Sequence, residues 1–275
     1  MRSMSRAALV MVAALAATAV APSAGLAACT DPPAAGVDWS KCDKYKKMLN
    51  GADLSGAILT RADLGRTDLR GADLSGAKLG EADLSRASLA EAKLGGADLT
   101  MAELGRAKLS GADLSAAILV GADLSRAVLN GAKLAGADLS KATLARADLT
   151  AADLSGANLG KAELARAVLR EAKLGGADLR KANMSRANLE NADLGGADLE
   201  KAELDRSILR GVAFGDANLA GADLYNARLD GTDLSAVRGL TQEQIAEACG
   251  DAETKLPAGL EPPASWPCPV EPEEG

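Results

Sequence analysis

Leucine recurs at every fifth position from Leu54 to Leu234, and only Met184 and Phe214 interrupt this series of 37 places. Alanine stands two residues before the leucine position in 33 of the 37 repeats. The other three positions of each repeat are mostly polar, charged or glycine. The apolar pattern therefore has a period of five, which matches neither the 3.6 residues of a helical turn nor the two-residue alternation of a strand.

A period of five predicts a chain that turns a corner once per repeat. On an α-helix, successive leucines would lie about 140° apart and would circle the axis without forming an apolar stripe. On a straight strand, alanine and leucine would share one face, but the next leucine would lie on the opposite face. Both residues stay inside only if the chain bends between repeats. We therefore expect a coil with alanine and leucine inside and the other three positions outside.

A second period, of twenty residues, predicts four repeats per coil. Eight arginines share this spacing, and seven glycines share it in another column that Ala116 interrupts. We therefore expect a four-sided solenoid in which each coil contacts only its neighbours. The arginine column, called here the arginine ladder, consists of Arg66, Arg86, Arg106, Arg126, Arg146, Arg166, Arg186 and Arg206. A lysine column consists of Lys141, Lys161, Lys181 and Lys201.

The repeat unit itself is Ala-Asp-Leu followed by two variable residues, as at 52–56, 72–76 and 152–156. This unit resembles the A-[DN]-L-x-x repeat of the pentapeptide-repeat family. The match extends over about two-thirds of the chain without an insertion. The resemblance implies an all-β fold, a right-handed quadrilateral β-helix.

The first 28 residues resemble a signal peptide. Arg2 and Arg6 form a basic start, an apolar run follows at 7–21, and small residues precede Cys29. A membrane anchor is the alternative, but this run is shorter than the roughly 20 residues that a spanning helix needs. We therefore expect an exported protein, periplasmic or extracellular.

Caps are expected at both ends, because a solenoid exposes unpaired sheet edges there. Before the repeats, Trp39 fits the leucine frame, whereas Lys44 and Lys47 fall at inward places and break it. After the repeats, Thr241 and Gln244 have the spacing of a helix capping box. The predicted organisation is a signal peptide at 1–28, an N-terminal cap at 29–51, a β-helix of about nine coils at 52–236, and a C-terminal cap and proline-rich tail at 237–275 with a short helix at about 241–248.

The four cysteines lie outside the repeats, with Cys29 and Cys42 before them and Cys249 and Cys268 after them. In an oxidising compartment, one disulfide at each end is the expected arrangement. The alternative is lipidation of Cys29, because residues 26–29 resemble a bacterial lipobox. Lipidation would leave Cys42 unpaired and would attach the protein to a membrane.

Catalysis is not expected from this composition. The chain has no histidine, which excludes histidine acid–base catalysis, Ser-His-Asp triads and histidine metal sites. Two separated cysteine pairs do not form the usual ligand set of a zinc site. The repeat pattern already accounts for the many serine and aspartate residues. We therefore expect no catalytic residues, no cofactor and no metal.

The charged columns allow more than one function. An acidic column, which includes Asp63, Asp83, Glu103 and Asp123, precedes the ladder by three residues, so its acids are the simplest partners of the arginines. The expected surface is then self-neutralising. An alternative is that the ladder binds a polyanion. The family resemblance adds another alternative, a DNA-mimic inhibitor of a type II topoisomerase, which would require a cytoplasmic protein.

The sequence thus predicts an exported, non-enzymatic rod that serves as a scaffold or protein-interaction module in the cell envelope. Its partner would be an envelope protein that the sequence does not identify, and a homodimer through a terminal coil is a further option. Nucleic acid is not an expected ligand, because the chain carries 31 Lys and Arg residues against 38 Asp and Glu residues, a net charge of −7.

Overall fold

The β-structure is a four-sided coil of twenty residues per turn. This computed structural model describes residues 28–268, so the predicted signal peptide lies outside the described residues except for Ala28. One coil is bounded by four parallel bridges, which join Asp53 to Asp73, Ile58 to Lys78, Asp63 to Asp83 and Asp68 to Ser88. Each side contributes a single bridged residue and no longer strand within residues 28–268.

Backbone hydrogen bonds connect every coil to the coils before and after it. The N–H of Ile58 donates to the Val37 carbonyl at 2.8 Å, and the N–H of Leu59 donates to the Lys78 carbonyl at 2.7 Å. Two neighbouring residues on one side thus bond in opposite directions along the rod axis. This pattern requires the chain to be extended at the bridge, which lies between the inward alanine and the inward leucine.

The coil begins earlier and ends later than the repeat pattern predicted. The first bridge joins Asp38 to Ile58, inside the segment 29–51 that was predicted as a cap. The last bridge joins Asp233 to Lys255, with a register of 22 rather than twenty residues. The predicted boundaries follow the alanine–leucine frame, but backbone pairing does not require those side chains.

The expected break in the frame at Lys44 does not occur. Its neighbour Asp43 bridges to Asp63, so the coil continues through this position. The Lys44 ammonium donates to the Cys29 carbonyl at 2.7 Å and lies 3.5 Å from the ring centroid of the buried Trp39. Burial lowers the pKa of Lys44, and the nearby charge of Lys47 lowers it further. The lysine is tolerated at an inward place because it lies at the open end of the rod.

The core is a column of alanine and leucine side chains. The inward leucine places from Leu54 to Leu234 have no exposed surface, and that includes Met184 and Phe214. Each buried leucine contributes about 1.5–3 kcal/mol to stability. Thr67 takes an alanine place, where its hydroxyl donates to the Lys44 carbonyl at 2.8 Å, so the buried oxygen is satisfied.

The corners are β-turns whose second central residue has a left-handed conformation. In a representative corner, the N–H of Ala57 donates to the Leu54 carbonyl at 3.0 Å, and Gly56 between them has a φ of 63°. A positive φ at this place is the signature of a type II turn and favours glycine. Many corners nevertheless carry larger residues, among them all eight ladder arginines with φ between 54° and 60°. Such a residue costs about 1–2 kcal/mol in local backbone energy.

Aspartate and asparagine at the bridged position cap the following corner. The Asp138 carboxylate accepts from the Ser140 N–H at 3.0 Å, and the Asn158 amide oxygen accepts from the Gly160 N–H at 3.0 Å. This short-range bond satisfies a backbone donor that the turn leaves unpaired. The outward Asp or Asn of the repeat unit therefore has a structural task.

The C-terminal end is closed by helix α1 (Gln242–Glu247) and by the segment that follows it. Ile245 on α1 is fully buried, and the Gln244 amide donates to the Leu219 and Ala222 carbonyls at 2.9 Å and 2.8 Å. The Trp266 indole donates to the Ala248 carbonyl at 2.7 Å. The Gln244 amide thereby gives the Ala222 carbonyl a donor, whereas the Leu219 carbonyl also accepts from the Ala222 N–H at 3.1 Å.

Each end of the rod carries one disulfide. Cys29 is bonded to Cys42 with a Cα–Cα distance of 5.3 Å, and Cys249 is bonded to Cys268 with a Cα–Cα distance of 5.5 Å. The first ties the segment around Cys29 to the first coil. The second ties the tail to the segment after α1. In this structure, the Cys29 sulfur is therefore engaged in a disulfide.

Replacement of the inward Ala137 by leucine should destabilise the protein by about 1–3 kcal/mol, because the site is fully buried. The adjacent Asp138→Asn change should be nearly neutral, since an amide oxygen can accept the Ser140 N–H as Asn158 does at the equivalent place. Urea unfolding of the two variants checks this. Equal stability of both variants would show that the inward assignment is wrong.

A second pair of variants tests the corner. Ala151→Gly should stabilise the protein by about 0.5–1 kcal/mol, because Ala151 has a φ of 55° that glycine adopts without strain. Ala152→Gly should destabilise it by about 1–2 kcal/mol, since that alanine is fully buried and its methyl group would be lost. Thermal unfolding measures both, and a loss of stability in Ala151→Gly would contradict the left-handed corner.

Candidate interaction surface

The twenty-residue register places the eight ladder arginines on one corner of the rod. The bridges Asp63 to Asp83, Asp83 to Glu103 and Glu103 to Asp123 on the side just before this corner fix the stacking. Arginines in adjacent coils are thus separated by about 4.8 Å along the axis, the usual distance between paired strands. All eight ladder residues are exposed. The ladder is therefore a continuous cationic edge open to solvent.

The expected pairing of the ladder with the acidic column is not formed. Within residues 28–268, none of the eight arginines has a carboxylate within 4.0 Å. Arg206 has a different contact, with its guanidinium 5.8 Å from the ring centroid of Tyr225. The aspartates of the column instead accept from the corner backbone, as when Asp123 accepts from the Ser125 N–H at 2.8 Å. The two columns are neighbours without direct contact.

Ion pairs form elsewhere on the rod, mostly between adjacent coils. Arg61 bonds Glu81 through two hydrogen bonds of 2.8 Å and 3.0 Å. Lys93 pairs with Asp73 at 3.4 Å in the column of alternating sign that starts at Asp53. Such exposed pairs contribute about 0–1 kcal/mol each. They neutralise their own sides of the rod, in contrast to the ladder.

Two shallow clefts lie along the cationic corners. One, of about 410 Å³, is lined by Arg86, Arg106 and Arg126 together with Asp123. The other, of about 420 Å³, follows the lysine column and is lined by Lys141, Lys161 and Lys181. The carboxylates of Asp178 and Glu200 also line it, and they pair with Arg180 and Lys201. Their linings offer ammonium, guanidinium and hydroxyl donors, which suit an anionic or hydroxyl-bearing ligand.

Neither a metal centre nor a membrane span emerges from the part of the chain that the structure describes. Residues 28–268 contain no group of three or more His, Cys, Asp or Glu side chains that could hold a metal ion. In the same range, no helix combines the length and the apolar character needed to cross a bilayer.

Sequence reasoning missed two properties of this surface. It placed the bridged aspartates outside without a structural role, although they cap corners. It also expected the ladder to be neutralised by the neighbouring acids. The preference for Asp or Asn at a single repeat position was the available signal for capping, because these are the residues that form Asx turns. The missing ion pairs had no sequence signal, since both columns are adjacent and opposite in charge.

Comparison with known families matches this chain to pentapeptide repeats, in eight copies over residues 48–76, 67–106, 107–146, 147–186, 182–219 and 201–235. HetL from the cyanobacterium Nostoc sp., a pentapeptide repeat protein involved in heterocyst differentiation regulation, is 38% identical, with 67% of this chain and 88% of HetL covered and a TM-score of 0.42.

Two further solved structures show the range of similar proteins. A pentapeptide repeat protein from the Arabidopsis thaliana thylakoid lumen is 34% identical over 40% of this chain and 69% of its own, with a TM-score of 0.30. QnrB1, a plasmid-mediated fluoroquinolone resistance protein, is 22% identical over 67% of this chain and 87% of its own, with a TM-score of 0.37. No curated protein sequence matches.

The corner-capping aspartates make the stability of the protein depend on pH in the acidic range. Hydrogen bonds from the serine two residues later lower the pKa of Asp53, Asp73, Asp113 and Asp153. Bonds from Ser235 and Lys255 lower the pKa of Asp233 to about 2. A depressed folded-state pKa stabilises the protein above the unfolded value of 3.8 and ceases to do so as the pH falls through the folded value.

The melting temperature should therefore be nearly constant above about pH 5 and should fall between about pH 4 and pH 2. A variant with Asp53, Asp73, Asp113 and Asp153 all changed to Asn should keep the corner caps without titrating, so its melting temperature should fall less over this range. Calorimetry from pH 7 to pH 2 compares the two proteins. Identical pH profiles would show that these carboxylates do not carry the acid dependence.

Proposed function

This chain belongs to the pentapeptide-repeat family, and on that premise we propose that it is an exported, non-enzymatic rod that binds a partner in the cell envelope along its exposed columns. The arginine ladder is the observation that carries this proposal. Its eight guanidinium groups are exposed and lack carboxylate partners within 4.0 Å in residues 28–268.

The fold does not require arginine at the corners of the ladder. Glycine would occupy these left-handed corners at lower cost, and other corners carry residues as different as Met101 and Ala151. An unpaired guanidinium row provides planar donors that match carboxylate, sulfate or phosphate groups. The ladder can therefore serve as a binding edge for an anionic partner.

The cysteines support export. Both pairs are bonded in the structure, and disulfides persist in oxidising compartments such as the periplasm. The basic start and apolar run of residues 1–28 fit a signal peptide that is removed on export. Lipidation of Cys29 is the alternative, which would require its disulfide with Cys42 to be absent.

Family membership also supports the finer points of the fold. We infer a right-handed quadrilateral winding with about nine coils between residues 52 and 236. The topoisomerase alternative would need a cytoplasmic protein with a strongly acidic face, so it is an outcome of the experiment below. Dimerisation through a terminal coil is compatible with the rod and would leave the ladder accessible.

The natural protein should begin at Ala28 or Cys29, and its mass without reduction should be lower by two hydrogens for each of the two disulfides. Intact mass spectrometry of protein from the native host checks both points. A chain that retains the first 26 residues would contradict export and favour the topoisomerase alternative. A diacylglycerol group on Cys29 would show that the protein is a lipoprotein and not a free exported rod.

Photocrosslinking then tests the binding edge. A photoreactive residue at Arg126 should form adducts in envelope fractions, whereas the same residue at Ala116 should not. The two positions are matched, because both are exposed left-handed corners with φ of 58° and 54°, and they lie on opposite corners of the rod. Equal adducts at both positions, or none at either, would contradict binding at the ladder.

A further inference from the structure

One side of the rod becomes strongly cationic over three successive coils. This basic face comprises residues 141–146, 161–166 and 181–186, which stack through the bridges Thr143 to Glu163 and Glu163 to Asn183. The lysine column forms one edge of the face, and the arginine ladder forms the other. Its cations are Lys141, Lys161, Lys181, Arg146, Arg166 and Arg186, and its one carboxylate is Glu163.

On the same side of the rod, the coils before and after this face have equal numbers of cations and carboxylates. In residues 61–66, 81–86, 101–106 and 121–126, five cations face five carboxylates. In residues 201–206, two cations face two carboxylates. The difference arises because Thr143 and Asn183 replace acids of the column while lysines occupy the corner. The positive charge is therefore local to three coils and does not follow from the whole ladder.

The six cations of the basic face are free of ion pairs. Within residues 28–268, none of them has a carboxylate within 4.0 Å, and all six are exposed. Neighbouring cations outside the face are neutralised, since Arg180 pairs with Asp178 and Lys201 pairs with Glu200 at 3.1 Å. The charge of the face is thus available to a ligand.

A cleft and several polar groups lie beside the cations of the basic face. The cleft of about 420 Å³ follows the lysine edge, where Gly160 lacks a side chain between Ser140 and Arg180. Between the two cationic rows, the Asn183 amide oxygen caps the Ser185 N–H at 3.0 Å, which leaves the amide N–H₂ group facing no acceptor in residues 28–268. Thr143 adds a hydroxyl group. These groups can bond to the hydroxyls of a sugar.

We propose that the basic face binds a linear acidic polysaccharide that lies along the rod axis. The inference rests on the proposed function, because it names the partner class of an exported binding rod. Two rows of cations at the edges of one side, with about 4.8 Å between coils, would hold carboxylate or sulfate groups on both sides of such a chain. Both sources of negative charge share this recognition, and the experiment separates them.

Nucleic acid fits this surface less well. Phosphates of one strand of duplex DNA recur about every 3.4 Å along the axis, which differs from the roughly 4.8 Å repeat of the cations. Single strands are usually held by stacking of bases on aromatic rings. The basic face has no aromatic residue among residues 141–146, 161–166 and 181–186.

Two triple variants with equal charge loss test the position of the site. The face variant carries Lys141→Gln, Lys161→Gln and Lys181→Gln. The control carries Lys93→Gln, Lys133→Gln and Lys173→Gln, which lie on the opposite side of the rod in the column of alternating sign. Dissociation constants for heparin, which is sulfated, and polygalacturonate, which carries only carboxylates, are measured at low salt. The face variant should bind about tenfold more weakly or worse, and the control should change by less than about twofold.

A second variant rebuilds the acidic column within the face. Thr143→Asp and Asn183→Asp should weaken binding at least as much as the lysine changes. The fold should hold, because Asp123 occupies the equivalent place and caps Ser125. Unchanged circular dichroism and melting temperature confirm this. Tighter binding to heparin would identify sulfate as the preferred group, and tighter binding to polygalacturonate would identify carboxylate.

Three results would overturn the inference. One is equal weakening by the face and control variants, which would show binding through net charge alone. Another is tighter binding to single-stranded DNA of equal charge than to either polysaccharide. The third is failure of the wild-type protein to bind both polysaccharides, which would leave the photocrosslinking test of the ladder unaffected.

Discussion

The width of the interior is the constraint on which the whole rod depends. Four sides of the coil converge on one axis, so each side can place only a small and a medium apolar residue inside. Alanine and leucine meet this requirement, and the buried inward places from Leu54 to Leu234 show that it holds along the repeats. Because the core admits little else, almost all variation is confined to the three outward positions. The surface columns are the part of the molecule that can differ between proteins of this architecture.

Because the interior is narrow, the chain must turn a corner in every repeat, and these corners give the rod a regular surface. Every repeat must turn, and each turn leaves a backbone N–H to be satisfied and a residue with positive φ. The outward Asp or Asn accepts the hydrogen bond from this N–H, as Asp138 does from Ser140. Glycine adopts the positive φ at low cost, yet the ladder carries arginine there. The aspartates that cap the turns beside the ladder, such as Asp63, Asp83 and Asp123, thereby have one carboxylate oxygen bonded to the backbone.

The twenty-residue register stacks charged residues into columns along the rod. The net charge of each side then depends on which columns lie next to one another. Where signs alternate, as at Asp73 and Lys93, adjacent coils neutralise each other. Where Thr143 and Asn183 interrupt the acids, two cationic edges enclose a side with little negative charge. A solenoid can thus place a binding surface in a few coils without altering its core. The net charge of −7 for the whole chain conceals this local excess of positive charge.

The sequence by itself determined the coil of twenty residues and the inward alanine and leucine, because these follow from spacing. It left lipidation of Cys29 open beside a disulfide at each end, and the structure contains both disulfides. Only the tertiary structure decided where the coil begins, since the pairing at Asp38 depends on backbone geometry and not on the apolar frame. It also decided that the ladder lacks ion pairs, because side-chain direction at a left-handed corner does not appear in spacing. Finally, only the stacked register brought the lysine column and the ladder to the two edges of one side, for residues of one edge are separated by twenty positions in the chain.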